Sequence, residues 1–155
     1  MEILFRNAQR KFKIDRKKLI SQMETILTEL NQSSSEISIM LVNDAKIKKL
    51  NSNYRGRNVP TDVLAFPQDE DAMNDNGGPL LGDVVVSVET SRRQAKEHCL
   101  SSDEELILLI IHGTLHLLGY DHERSAKDKR KMQNLTQKIF CRLFPGRRPL
   151  GISDF

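Results

Sequence analysis

No apolar run in this sequence is longer than the one from Leu106 to Ile111. A helix that crosses a bilayer needs about 20 apolar residues, so a membrane-spanning helix is excluded. Cysteine is nearly absent as well: Cys99 and Cys141 stand far apart and form no CxxC pair. That argues against a disulfide framework, and both thiols are expected to be reduced and buried. There is no tryptophan, and proline and glycine are too scattered for a low-complexity or fibrous chain. The opening MEILFRNAQRKFKIDRKK lacks the apolar core of a secretory signal. It also lacks the serines of an organelle presequence, which leaves the cytoplasm as the expected compartment.

What remains is 155 residues with 38% hydrophobic and 29% charged side chains, the composition of one globular domain. Net charge is only +3, but it is unevenly spread. Arg6, Arg10, Lys11, Lys13, Arg16, Lys17 and Lys18 crowd the start. Further basic groups follow at Lys127, Lys129, Arg130 and Lys131, then at Arg142, Arg147 and Arg148, while acid collects between Asp69 and Asp75. Such segregation suits a polyanionic partner, and equally suits solvated helix faces.

Periodicity sets out the elements. A short strand is expected at 2–5. A helix follows from an Asp15 cap to about Asn31, because Leu19, Ile20, Met23, Ile26, Leu27 and Leu30 recur at helical spacing. Alternation from Ile37 to Val42 predicts a strand buried on both faces. Asp44 should cap a short helix whose apolar face is Ile47, Leu50 and Tyr54. Strands are expected at Val63–Phe66 and Leu80–Val88, separated by a polar loop over 67–79. A helix over about Thr90–Cys99 should carry an ordinary His98. Ser102 and Glu105 form a capping-box pattern for a helix to Leu118 that is apolar nearly all round and therefore central. A last helix spans about Ser125–Leu143. The sum is an α+β fold, one domain over 1–155, with a small mixed sheet packed against several helices.

The chemistry concentrates in HGTLHLLGYDH. His112 and His116 lie four apart on a helix, so their imidazoles share one face. That spacing suits two nitrogens on one metal at roughly 2.0–2.1 Å each. Gly119 should end the helix in a left-handed turn, and His122 returns three residues later as the third ligand. Three protein ligands with an open fourth position are the pattern of catalytic zinc. The spacing matches the metzincin motif H-E-x-x-H-x-x-G-x-x-H, but Gly113 stands where the peptidases carry their general base. Glycine inside a helix costs about 1 kcal/mol against alanine, so close approach of a substrate or of another backbone is expected there.

Three segments, HGTLHLLGYDH (112–122), YRGRNVPTDVLAF (54–66) and LGDVVVS (81–87), resemble the YbeY family of metal-dependent ribosomal-RNA maturation endoribonucleases. They cover about a fifth of the chain. One departure is Ala65, where the family usually has Ser. The resemblance implies that His112, His116 and His122 bind Zn2+, one ion per chain, with another transition metal such as Ni2+ also suited to three imidazoles. It implies that Arg55 takes part in RNA processing. It further implies cytoplasmic action at the ribosome on single-stranded ribosomal RNA, in maturation of the small-subunit 3′ end and in quality control. Ribosomal proteins are possible partners, and no DNA sequence specificity is expected. From the residues themselves, a guanidinium at Arg55 would bind non-bridging phosphate oxygens, or else close its loop on carbonyls; Arg57 is the weaker candidate. Asp121 is expected to orient an imidazole, and no general acid or base is assigned. Two other readings stay open: a metallopeptidase or other metal hydrolase, and a non-catalytic ribosome-associated factor with a structural metal.

Overall fold

The computed structural model describes residues 1–150. Strand β1 (Glu2–Asn7) leads to helix α1 (Arg16–Glu29), then β2 (Glu36–Val42) and α2 (Asp44–Arg55). Two further strands, β3 (Val63–Pro67) and β4 (Leu80–Ser87), precede helices α3 (Val88–Glu97), α4 (Ser102–Leu117) and α5 (Ala126–Leu143). The sheet order is β1-β2-β4-β3, with β3 antiparallel to β4 and the other pairs parallel. This is the mixed α+β architecture that the strand and helix periods implied.

Alternation along the strands divides the core in two. Ile37, Ile39, Leu41, Val84 and Val86 face a large cluster with α1, α4 and α5. Val42, Leu64 and Val85 face Ile47 of α2 on the opposite side. The sheet is therefore covered on both faces, and its central strands are buried accordingly. Helix α4 lies against β3 and β4 with Leu106 through Leu115 buried, which explains why it is apolar around its whole circumference.

Several local expectations shift once neighbours are present. The capping box of α4 is Ser101 with Glu104, one residue earlier than expected. Ser101 Oγ accepts from Glu104 N at 3.1 Å and Ser101 N donates to Glu104 Oε1 at 2.8 Å. Glu105 is instead fully buried, with its Oε2 at 2.7 Å from His98 Nδ1, so His98 is not an ordinary surface histidine. Burial pushes the Glu105 carboxyl above its usual range, against the pull of His98. The cap of α2 is Asn43 rather than Asp44. Asp44 instead accepts from Ser87 Oγ, Thr90 Oγ1 and Arg93, tying α2 to α3. Tyr54 does not join the apolar face of α2 but is 69% exposed, because the last turn of the helix projects beside the sheet-edge strand β3. Both cysteines are free and exposed, not buried. Cys99 follows the α3 cap with φ +56°, and Cys141 lies off the core face of α5 formed by Met132, Thr136, Ile139 and Phe140.

Glu104 also receives Arg147 through Nε at 2.7 Å and Nη2 at 3.1 Å. These bonds hold its carboxyl at about 2, below an ordinary value of 4.5. A carboxyl depressed in the folded state stabilises the fold above its unfolded value, and that contribution is lost as pH falls toward 2. Glu104→Gln is expected to lower Tm by roughly 2–4 °C above pH 5, a modest effect because Arg147 is half exposed. The gap from the parent should close as pH approaches 2 in calorimetry; a gap constant with pH would disprove the charged pairing.

Candidate metal centre

Helix α4 supplies two of the three histidines on the face turned toward β3. His112 is buried and His116 half-buried, and their Nε2 atoms lie 2.9 Å apart. The third comes from the turn that ends the helix. Gly119 takes φ +92°, a conformation costly for any residue with a Cβ. Its N–H donates to His116 O and that of Tyr120 to Leu115 O, each at 3.0 Å, which forms a Schellman motif. The chain reverses there and brings the His122 ring centroid within 5.4 Å of His112 and 5.5 Å of His116.

The turn is fastened by its own side chains. Asp121 Oδ1 accepts from Glu123 N at 2.8 Å, and Arg124 Nη2 donates to Gly119 O at 2.9 Å. Asp121 Oδ2 also lies 3.5 Å from Arg124 Nε. Asp121 thus shapes the loop that carries His122, and its partners are Glu123 N and Arg124 rather than an imidazole.

One nitrogen from each imidazole lies within 4.8 Å of the others, close enough for one ion. Burial, followed by the charges of His116 and His122, lowers the His112 pKa to about 3. Burial and His122 likewise lower that of His116. These two rings are therefore neutral near pH 7, the state in which imidazole is a metal ligand. His122 Nδ1 is buried with no hydrogen-bond partner in the protein. The donor set and that orphaned nitrogen fit a transition-metal ion.

Beside the rings lies a cavity of about 280 Å³, walled by Arg55, Asp62, Ala65 and Gly113 among others. A second hollow of about 440 Å³, with Thr61, Tyr120, His122 and Arg124 in its wall, shares Arg55, Val63 and His116 with the first. The three histidines thus open on a continuous cleft with an arginine on its rim. Arg55 is the last residue of α2, and Gly56 at φ +68° turns the chain away behind it. Its Nη2 donates to Ala65 O at 3.3 Å, so it both braces the edge strand and faces the cleft. Arg57 is not among the residues lining these two hollows. Asp62, which sequence reasoning passed over, is the carboxylate in the wall of the first. Its Oδ1 accepts from Val63 N at 2.7 Å. The signal available was its place just before β3, whose alternate residues Val63, Ala65 and Pro67 line the cavity.

Gly113 has a packing reason. A Cβ there would lie 2.6 Å from Val84 Cγ1 and 3.1 Å from Val63 Cγ2. Within the protein, the close approach is to valine side chains of the sheet rather than to another backbone.

A family model described as Endoribonuclease YbeY matches residues 4–143. The endoribonuclease YbeY of a Sulfurihydrogenibium species is 45% identical over 130 residues, which cover 84% of this chain and 84% of its own. That of Geobacter sulfurreducens is 36% identical over 147 residues, covering 94% of this chain and 98% of its own. A solution structure of a protein from Thermotoga maritima is similar at TM-score 0.64 and 27% identity, spanning 94% of this chain and 99% of that one.

Proposed function

The chain belongs to the Endoribonuclease YbeY family, and from that premise we propose that it is a metal-dependent endoribonuclease cutting single-stranded RNA in ribosomal-RNA processing. The finer reading is maturation of the 3′ end of small-subunit RNA and ribosome quality control in the cytoplasm, in contact with the ribosome and its proteins. The whole chain is read as one such domain. No helix among the described residues is long and apolar enough to cross a membrane.

One observation carries this reading: three converging imidazoles form one side of a cleft that has an arginine on its rim. His112, His116 and His122 would hold the ion, for which we propose zinc, with nickel as a second candidate. When bound, such a metal supplies Lewis acidity, which makes water a competent nucleophile near neutral pH. The protein's own part is positioning and charge. Arg55 offers a planar guanidinium to non-bridging oxygens that gain negative charge as the phosphodiester breaks. Its position is set by the helix end and by the bond to Ala65 O, so little reorganisation is needed on binding. The walls formed by Val63 and Gly113 are apolar and bring the strand close to the histidine face.

The test is cleavage of end-labelled single-stranded RNA by freshly purified protein, before and after a chelator and after metal is restored. Cleavage that is lost and regained supports the reading, while indifference to chelation overturns it. Arg55→Glu is expected to slow cleavage by about 10²–10³-fold, the usual effect of removing one preorganised donor to a developing oxyanion. Metal content, read by mass spectrometry, should stay at the parental level. A variant that lost its metal would show Arg55 to be a structural brace.

A further inference from the structure

We propose that Tyr54 is a stacking platform for an unpaired RNA base beside the metal cleft, an inference that rests on the endoribonuclease reading. Exposed large hydrophobic side chains are few among the described residues, and Tyr54, at 69%, is one of the two most exposed. Its ring makes only an edge-type contact with Phe66, at 5.2 Å between centroids and 64° between planes. Phe66 packs in turn on the cluster of Val42, Ile47, Leu64 and Val85. Phe66 thus steadies one side of the Tyr54 ring while most of the residue stays open to solvent.

Its setting points to the occupant. Tyr54 directly precedes Arg55, which lines both parts of the cleft. The Tyr54 ring lies on Phe66, on the sheet face opposite the one whose Val63, Ala65 and Pro67 line the cavity. Ring and guanidinium thus flank the edge strand β3 from its two sides. The following loop is pinned to α2 by Asn51 Nδ2 donating to Val59 O at 2.9 Å, and by Arg57 N donating to Asn51 O. Arg57 adds a second positive charge to this loop, and Arg124 stands across the second hollow. Cationic groups that take phosphates, next to a fixed and exposed aromatic ring, are the elements with which proteins hold single strands. A duplexed base has both faces already stacked, so this platform accepts only an unpaired one. Single-strand preference would then arise partly at Tyr54, outside the metal centre.

The experiment measures kcat and KM on a labelled single-stranded RNA for the parent, Tyr54→Ala and Tyr54→Phe. A second series replaces bases near the cleavage point, one at a time, by abasic sugars. Loss of one base–aromatic stack should raise KM of Tyr54→Ala between about fivefold and a hundredfold, with a much smaller change in kcat. Tyr54→Phe keeps the ring and should return KM to within about threefold of the parent. One abasic position should penalise the parent and not Tyr54→Ala, a coupling that a merely structural tyrosine would not produce. If the parent cleaves and Tyr54→Ala matches its KM on every substrate, the stacking proposal fails alone. If the parent does not cleave RNA, the endoribonuclease reading fails and the proposal with it.

Discussion

His116→Ala is expected to abolish most metal binding and to lower RNA cleavage by at least roughly a thousandfold. Loss of one ligand leaves two imidazoles, too few for the three-ligand pattern of catalytic zinc. A metal held there would contribute several kcal/mol to stabilising charge in the transition state, which is about three orders of magnitude in rate. Folding should survive, because His116 is only half-buried and stands at the cleft end of α4, away from the packed stretch Leu106–Ile111. The check is metal content and cleavage rate in parallel with Tm, on variant and parent purified identically. Equal cleavage by the two proteins would assign the activity to a contaminating nuclease. Cleavage by the variant at the parental rate after metal stripping would show the metal-centred mechanism to be wrong.

The other large effect belongs to Gly113, and it bears on the peptidase alternative. Glutamate at this position would complete the metzincin pattern H-E-x-x-H-x-x-G-x-x-H around the same three histidines. Gly113→Glu is nevertheless expected to lower Tm by roughly 4–24 °C and to yield no peptidase. Overpacking against Val84 and Val63 costs about 1–3 kcal/mol, and a carboxylate brought into that contact adds a desolvation penalty of similar size. In a domain of this length each kcal/mol moves Tm by about 2–4 °C. Gly113→Ala separates the contributions, since alanine gains about 1 kcal/mol of helix propensity but still meets Val84. It should be mildly destabilised. A Gly113→Ala protein more stable than the parent would show that the sheet yields easily, and the packing explanation of the glycine would fall. The residue that removes the general base of a peptidase is the same residue that lets α4 lie on β4, so recovering the base costs the helix its seat.

The structure also decides among patterns that the sequence leaves degenerate. The run Ser101-Ser102-Asp103-Glu104-Glu105 satisfies a capping box in two registers. Glu105 is fully buried against His98, whereas Glu104 receives Arg147 and still accepts from Ser101 N, so the Ser101–Glu104 register is the one that forms. Asn43 and Asp44 pose the same ambiguity. It is settled because Ser87, Thr90 and Arg93, more than forty residues away, engage Asp44. Cys141 is exposed because an apolar-looking helix has a solvent side too, which depends on how α5 sits against the core, and Cys99 because it lies in the left-handed turn after α3.

The sequence by itself determined the three histidines that converge, the order and type of the elements, and the family. Each of these depends on interactions over a few residues: the 3.6-residue turn that pairs His112 with His116, the left-handed glycine that returns His122, and the two-residue period of the strands. Tertiary structure alone decided what surrounds the ligands. Arg55 and Asp62 share a cavity with the histidines because β3 pairs with β4 at the sheet edge under α4, whose His112 lies some fifty residues beyond β3 in the chain. No local period encodes that pairing. It follows from burying both faces of one sheet at once, and the same burial sets the glycine in α4 and leaves Tyr54 outside.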